Sequence, residues 1–142
     1  MLLYHGSNVE VSNPQILESD RRLDFGKGFY LTSSYEQAKR WAELTVKRRG
    51  SGKEAVSVFA FDESAVSDLR VLHFTQAQKE WLEYVTMNRK NQTIQNDNYD
   101  IVIGPVANDK TMPVISLYFS GIYDIEETIK RLMPQKLCDQ YT

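Results

Sequence analysis

The chain has 142 residues, 42% hydrophobic and 25% charged, with 17 basic against 19 acidic side chains and a formal net charge of -2. That composition suits one soluble domain, residues 1–142, and its balance gives no global attraction to nucleic acid or to an anionic membrane. The single cysteine, Cys138, excludes an internal disulfide and points to a reducing, cytoplasmic setting, and with only His5 and His73 beside it a Cys/His metal site is not expected. The start MLLYHGSN lacks the basic and long apolar regions of a signal peptide, and no apolar run is long enough for a bilayer.

Residues 2–5 form a short apolar run closed by Gly6-Ser7-Asn8, which predicts a strand ending at a glycine. Residues 9–24 are mixed and carry Pro14, so an irregular connection is expected. Gly26-Lys27-Gly28 then predicts a tight turn into a strand over 28–32, rich in aromatic and β-branched residues. Ser34 with Gln37 three residues later is a capping-box pattern, so a helix starts near Tyr35. Ala38, Trp41, Ala42 and Thr45 share its apolar face, a basic run from Lys39 to Lys53 covers the rest, and Gly50-Ser51-Gly52 ends it.

Residues 55–61 alternate and predict a strand, with a second strand over 69–74. A helix over 76–87 carries Trp81, Leu82, Tyr84 and Val85, and the polar stretch 88–98 reads as a mobile loop. Residues 99–103 predict a buried strand closed by Gly104-Pro105. Asn108 or Asp109 is placed to cap a helix reaching Phe119, and Asp124 with Glu127 starts another to about Met133. A last strand begins at Cys138 and reaches Thr142, where the sequence stops; it is either incomplete or completed from elsewhere. Strands and helices do not alternate regularly, so the expected class is α+β with a mixed, mainly antiparallel sheet.

Familiar phosphate-binding and catalytic patterns fail. A dinucleotide fingerprint needs a third glycine where Leu31 stands, and should open a helix rather than a strand. Gly52-Lys53 is followed by Glu54 instead of the Ser or Thr of a phosphate loop. Neither Gly-x-Ser-x-Gly nor His-Glu-x-x-His occurs.

Three segments stand together differently: Tyr4-His5-Gly6-Ser7, the run Asp24-Phe25-Gly26-Lys27-Gly28-Phe29-Tyr30-Leu31-Thr32, and the stretch from Tyr99 to Asp109 around Gly104-Pro105. In this order they resemble the ADP-ribosyltransferase superfamily, in its His-Tyr-Glu branch of diphtheria toxin and the poly(ADP-ribose) polymerases, and more closely a bacterial group of ADP-ribosyltransferase-like domains. The resemblance covers nearly the whole chain. It implies a split sheet flanked by helices, NAD as co-substrate, and transfer of ADP-ribose to a macromolecular acceptor, protein or nucleic acid. A small antitoxin or immunity partner is implied as well, with the enzyme as the toxin of the pair; the alternative is a non-catalytic NAD- or ADP-ribose-binding or protein-interaction module.

Residue by residue, the resemblance gives His5 the ribose hydroxyls, Gly6 and Ser7 the nicotinamide carboxamide end, and Gly28, Tyr30 and Thr32 the strand against the nicotinamide. Trp41 matches the second ring of the nicotinamide sandwich, and Ala38 stands where the polymerases carry a serine, leaving Thr32 or Ser34 to supply that hydroxyl. A cationic pyridinium over an aromatic face is stabilised by roughly 0.5–2 kcal/mol. Gln140 matches the late-strand glutamate, with Asp139 beside it. Glutamine accepts a hydrogen bond but is no base, so the acceptor must arrive already nucleophilic or another group, Glu36, Glu80 or Asp109, must deprotonate it. Arg89 and the basic run are candidates for phosphate contact.

Overall fold

The computed structural model describes residues 1–16, 23–90, 99–135 and 137–142. Among these, six strands and four α-helices follow in the order β1 (Leu2–Ser7), β2 (Leu31–Thr32), α1 (Tyr35–Arg49), β3 (Ala55–Ala60), β4 (Val71–His73), α2 (Lys79–Lys90), β5 (Ile101–Pro105), α3 (Met112–Phe119), α4 (Ile125–Leu132) and β6 (Asp139–Tyr141). A short 3₁₀ helix, Glu63–Val66, links β3 to β4. Part of the irregular connection and most of the polar stretch expected to be mobile, 17–22 and 91–98, lie outside the described residues.

The strands form one sheet in the order β3-β1-β2-β6-β5-β4. Only β4 and β5 run parallel; the other neighbours are antiparallel. The α+β class and the mixed sheet are as expected. The sheet is continuous rather than split, and its narrowest join is between β1 and β2, with the single register pair Tyr4↔Thr32; β2 joins β6 through Leu31↔Tyr141 and Thr32↔Gln140.

Local signals explain the helix ends. Ser34 Oγ accepts from the Gln37 N–H at 3.2 Å and starts α1, while Gly50, at φ 67°, takes the left-handed conformation that ends it. Asp124 accepts from the Glu127 N–H at 2.8 Å and starts α4. The helix expected directly after Asn108 begins later, at Met112. Asn108 Oδ1 is occupied with the N–H groups of Lys110 and Thr111, which closes a turn ahead of the helix.

Side chains of directly opposed residues lie on the same face of a sheet. Tyr4, Thr32, Gln140 and Gly104 are linked in one register row, which defines the first face. All four helices pack there. A Cβ on Gly6 would lie 1.8 Å from the Ala38 carbonyl oxygen of α1, so α1 lies directly on β1. Phe25, Trp81, Leu82, Val85, Val102, Ile115 and Leu132 form the core cluster beneath α2, α3 and α4. The second face carries Leu3, His5, Leu31, Tyr141, Ile103 and His73. Rings rather than α-helices cover it: Phe29 and Phe59 make an edge contact at 5.8 Å, and Phe61 and Tyr141 another at 5.5 Å.

Candidate functional site

The three strands that carry His5, Thr32 and Gln140 are immediate neighbours. Their side chains divide between the two faces. His5 points to the ring-covered face, whereas Tyr30 packs against the core and Gln140 is buried on the helix side.

The His5 imidazole stacks on Phe29, with centroids 4.1 Å apart and planes inclined by 22°. Its Nδ1 lies 2.7 Å from the Tyr30 carbonyl oxygen. A carbonyl only accepts, so Nδ1 carries the proton and Nε2 presents its lone pair to an incoming donor. Burial is the main force lowering the proton affinity of His5, with the nearby positive charge of Arg49 adding to it; the hydrogen bond to Tyr30 opposes both. Among the described residues Nε2 has no hydrogen-bond partner, and a neutral imidazole with such an acceptor nitrogen suits a sugar hydroxyl. Beyond Tyr4↔Thr32 the ladder to β2 ends, so among the described residues the Gly6–Ser7 end of β1 has no strand partner on that side. Ser7 is buried there, its hydroxyl 3.3 Å from Asn8 Oδ1, and Arg49 donates to the same Asn8 oxygen at 2.9 Å.

Tyr30 does different work. Its hydroxyl donates to the Gly26 carbonyl at 2.6 Å and accepts from the Phe25 N–H at 3.0 Å. Burial, the leading cause, pushes its ionisation far above the ordinary tyrosine range. The hydroxyl therefore staples the glycine turn from inside. Gly26 needs its positive φ of 79°, and a Cβ on Gly28 would come within 2.3 Å of Thr142 Cγ2, so the turn also lies tightly against the end of the chain.

Thr32 is fully buried. Its hydroxyl donates to the Asp139 carbonyl at 2.9 Å and accepts from the Ser34 N–H at 3.1 Å, so it holds β2 to β6 and is engaged on both sides. Gln140 donates to Asp24 Oδ2 at 3.0 Å and to the Pro105 carbonyl at 3.2 Å. Asp24 is itself buried, ion-paired with Arg89 and accepting from the Ala107 N–H at 3.3 Å. Arg89 is thus committed to a buried carboxylate rather than offered to a phosphate. Asp24, given no role of its own by the sequence, is the hub of this network. An acidic residue directly before Phe-Gly in a turn was the available signal.

Trp41 is half-buried on α1, and among the described residues no ring contact joins it to Tyr30. Ala38 is fully buried against Gly6, so its methyl lies in the packing of α1 on β1. Of the three base candidates, Asp109 pairs with Arg40 at 2.9 Å, Glu80 borders a separate cleft beside His73, and Glu36 sits exposed in the first turn of α1. Among the described strand residues, Asp139 is an acidic side chain on the same face as His5. It shares that face with Tyr141 two residues along β6, and burial raises its proton affinity while the nearby His73 opposes the rise.

Among the described residues no group of three or more His, Cys, Asp or Glu could hold a metal ion, and no helix is long and apolar enough to cross a membrane. No curated protein and no solved structure matches the chain. One family model does, over residues 1–142, and its description is a protein of unknown function, DUF3990. The chain belongs to the DUF3990 family.

Proposed function

We propose that this domain binds NAD with its ribose at His5 and transfers ADP-ribose to a macromolecular acceptor, releasing nicotinamide. One observation carries the reading. The strands bearing His5, Leu31–Thr32 and Gln140 are adjacent, with Thr32 in register with Tyr4 on one side and Gln140 on the other, and Tyr30 directly precedes the middle strand. The residues that the resemblance matches to the transferases' His-Tyr-Glu set are separated by long stretches of chain, and adjacency of the strands that carry or directly follow them is what a shared nucleotide site requires. The acceptor Nε2 of His5, the ring of Phe29 beneath it and the Gly6–Ser7 strand end, paired to β3 on one side, would supply a ribose contact and an aromatic floor. NAD carries its own leaving group, so the task of the protein is to orient the ribose and favour positive charge at its anomeric carbon. A setting as the toxin of a toxin–antitoxin pair, restrained by a small partner, belongs to the same proposal.

Nicotinamide release from NAD, followed with cell extract as the acceptor source, tests the reading. Release above the blank that falls to background in His5→Ala supports it. Release unchanged in that variant would remove His5 from the site.

A second reading is favoured by Gln140. Its amide is held by Asp24 and by a carbonyl, and no carboxylate takes its place. A domain that binds NAD or ADP-ribose without turnover fits that arrangement. It predicts a higher melting temperature with NAD and no nicotinamide.

A further inference from the structure

The ring-covered face of the sheet holds an open cleft of about 240 Å³, at the opposite end from His5. Its floor is the register row Tyr141↔Ile103↔His73 across β6, β5 and β4. Phe61 and Val66 wall it, and Glu63 of the 3₁₀ helix stands at its side. Phe61 and Tyr141 meet edge to face at 5.5 Å, and both rings line the cleft.

The charges around this surface are predominantly negative. Glu63 lines the cleft, and Asp139 projects from β6 on the same face as Tyr141. Both carboxylates lie close enough to make ionisation of the Tyr141 hydroxyl harder, although burial is the larger cause. The Asp139 backbone oxygen is hydrogen-bonded, but among the described residues no N–H or O–H donates to its half-buried carboxylate. Two basic groups lie close by, one paired with a carboxylate and one at the cleft wall. Arg70 pairs with Asp100 at 3.0 Å, and the Met1 ammonium donates to the Phe61 carbonyl at 3.1 Å. His73 is the remaining titratable group on the floor.

We propose that this cleft receives the guanidinium of an arginine side chain presented by a partner protein. Charge complementarity selects a cation. The aromatic walls select a flat, weakly hydrated one, because guanidinium stacks on rings while its edge donates to carboxylates, whereas an ammonium keeps its water. The apolar floor accommodates the methylene stem. A metal ion is a poor alternative, since among the described residues no three ligating groups converge. This inference does not rest on the use of NAD.

The test is a titration of the full chain with Nα-acetyl-arginine amide, without NAD, followed by amide chemical shifts. Saturable shifts centred on Ile103, His73 and Tyr141 are expected, with a dissociation constant on the order of 1 mM for so small a probe. Glu63→Gln, an exposed change, is expected to weaken binding about threefold, and Glu63→Gln with Asp139→Asn about tenfold. The uncharged isostere Nα-acetyl-citrulline amide should not bind. Equal binding of the citrulline probe, shifts confined to other surfaces, or full affinity in the folded Glu63→Gln and double variants would each overturn the proposal.

Discussion

Gln140 donates its side-chain amide to the buried carboxylate of Asp24 at 3.0 Å, joining the last strand to the glycine turn across most of the chain. The amide is a neutral donor beside a charge already balanced by Arg89. Gln140→Glu removes that donor and sets a second carboxylate against the first. Like charges in a buried site destabilise, or one carboxyl takes up a proton, so the variant is expected to lose about 2–4 kcal/mol at pH 7. Urea unfolding measures this. A variant as stable as the parent would mean that the clasp contributes nothing.

Tyr30→Phe isolates the staple in the glycine turn. The change keeps the ring in the core and deletes the hydroxyl that serves both Gly26 and Phe25. The Phe25 N–H and the Gly26 carbonyl lose that partner, at an expected cost of about 1–3 kcal/mol. Hydrogen exchange at the Phe25 amide should accelerate more than exchange in β3, which lies at the far edge of the sheet. Nicotinamide release, if the domain is a transferase, should survive Tyr30→Phe better than Tyr30→Ala, because only the latter empties the core.

Two glycines separate the effect of space from that of conformation. At Gly6 a Cβ would meet the Ala38 oxygen at 1.8 Å and the Ala42 nitrogen at 2.9 Å, both backbone atoms of α1. Neither can step aside unless the helix leaves the sheet, so Gly6→Ala is expected to cost more than about 3 kcal/mol. Gly50 has open space around it and only its φ of 67° to defend. Gly50→Ala should cost about 1 kcal/mol. Thermal melts of the two variants should differ widely; similar melts would mean that α1 does not rest on Gly6.

Much of this arrangement was legible in local chemistry. The caps at Ser34 and Asp124 and the stop at Gly50 are written in side chains next to the backbone groups they satisfy. The strand around His5 follows from an apolar run, whereas the Asp-Gln-Tyr strand around Gln140 has no such run and is held by its neighbours. The division of the site between two faces was not legible. It depends on the short β2, in which Leu31 and Thr32 alone pair, and on Tyr30 turning back to its own loop rather than across to His5. A motif supplies residue types in order; which face each one takes is set by sheet register and by the long-range partners Asp24, Arg89 and Ala38. The role of Phe29 as the ring beneath His5 also emerges only once the strands are paired.

The last prediction concerns pH. Burial makes the folded His5 a weaker base than the ordinary histidine value of 6.5, against the opposing bond to Tyr30. The unfolded chain, with its imidazole in water, takes up a proton first as pH falls. Above 6.5 the stability that goes with a neutral His5 is present in full; below it, stability declines until the folded value is passed. In His5→Gln that component is absent, while Asp139, Tyr141 and His73 on the same face remain. The difference in melting temperature between pH 7.5 and pH 5 should therefore be larger for the parent than for His5→Gln. Parallel curves would mean that His5 is equally solvated in the folded and unfolded chain, and that its Nε2 does not sit in the sheltered position a ribose contact needs.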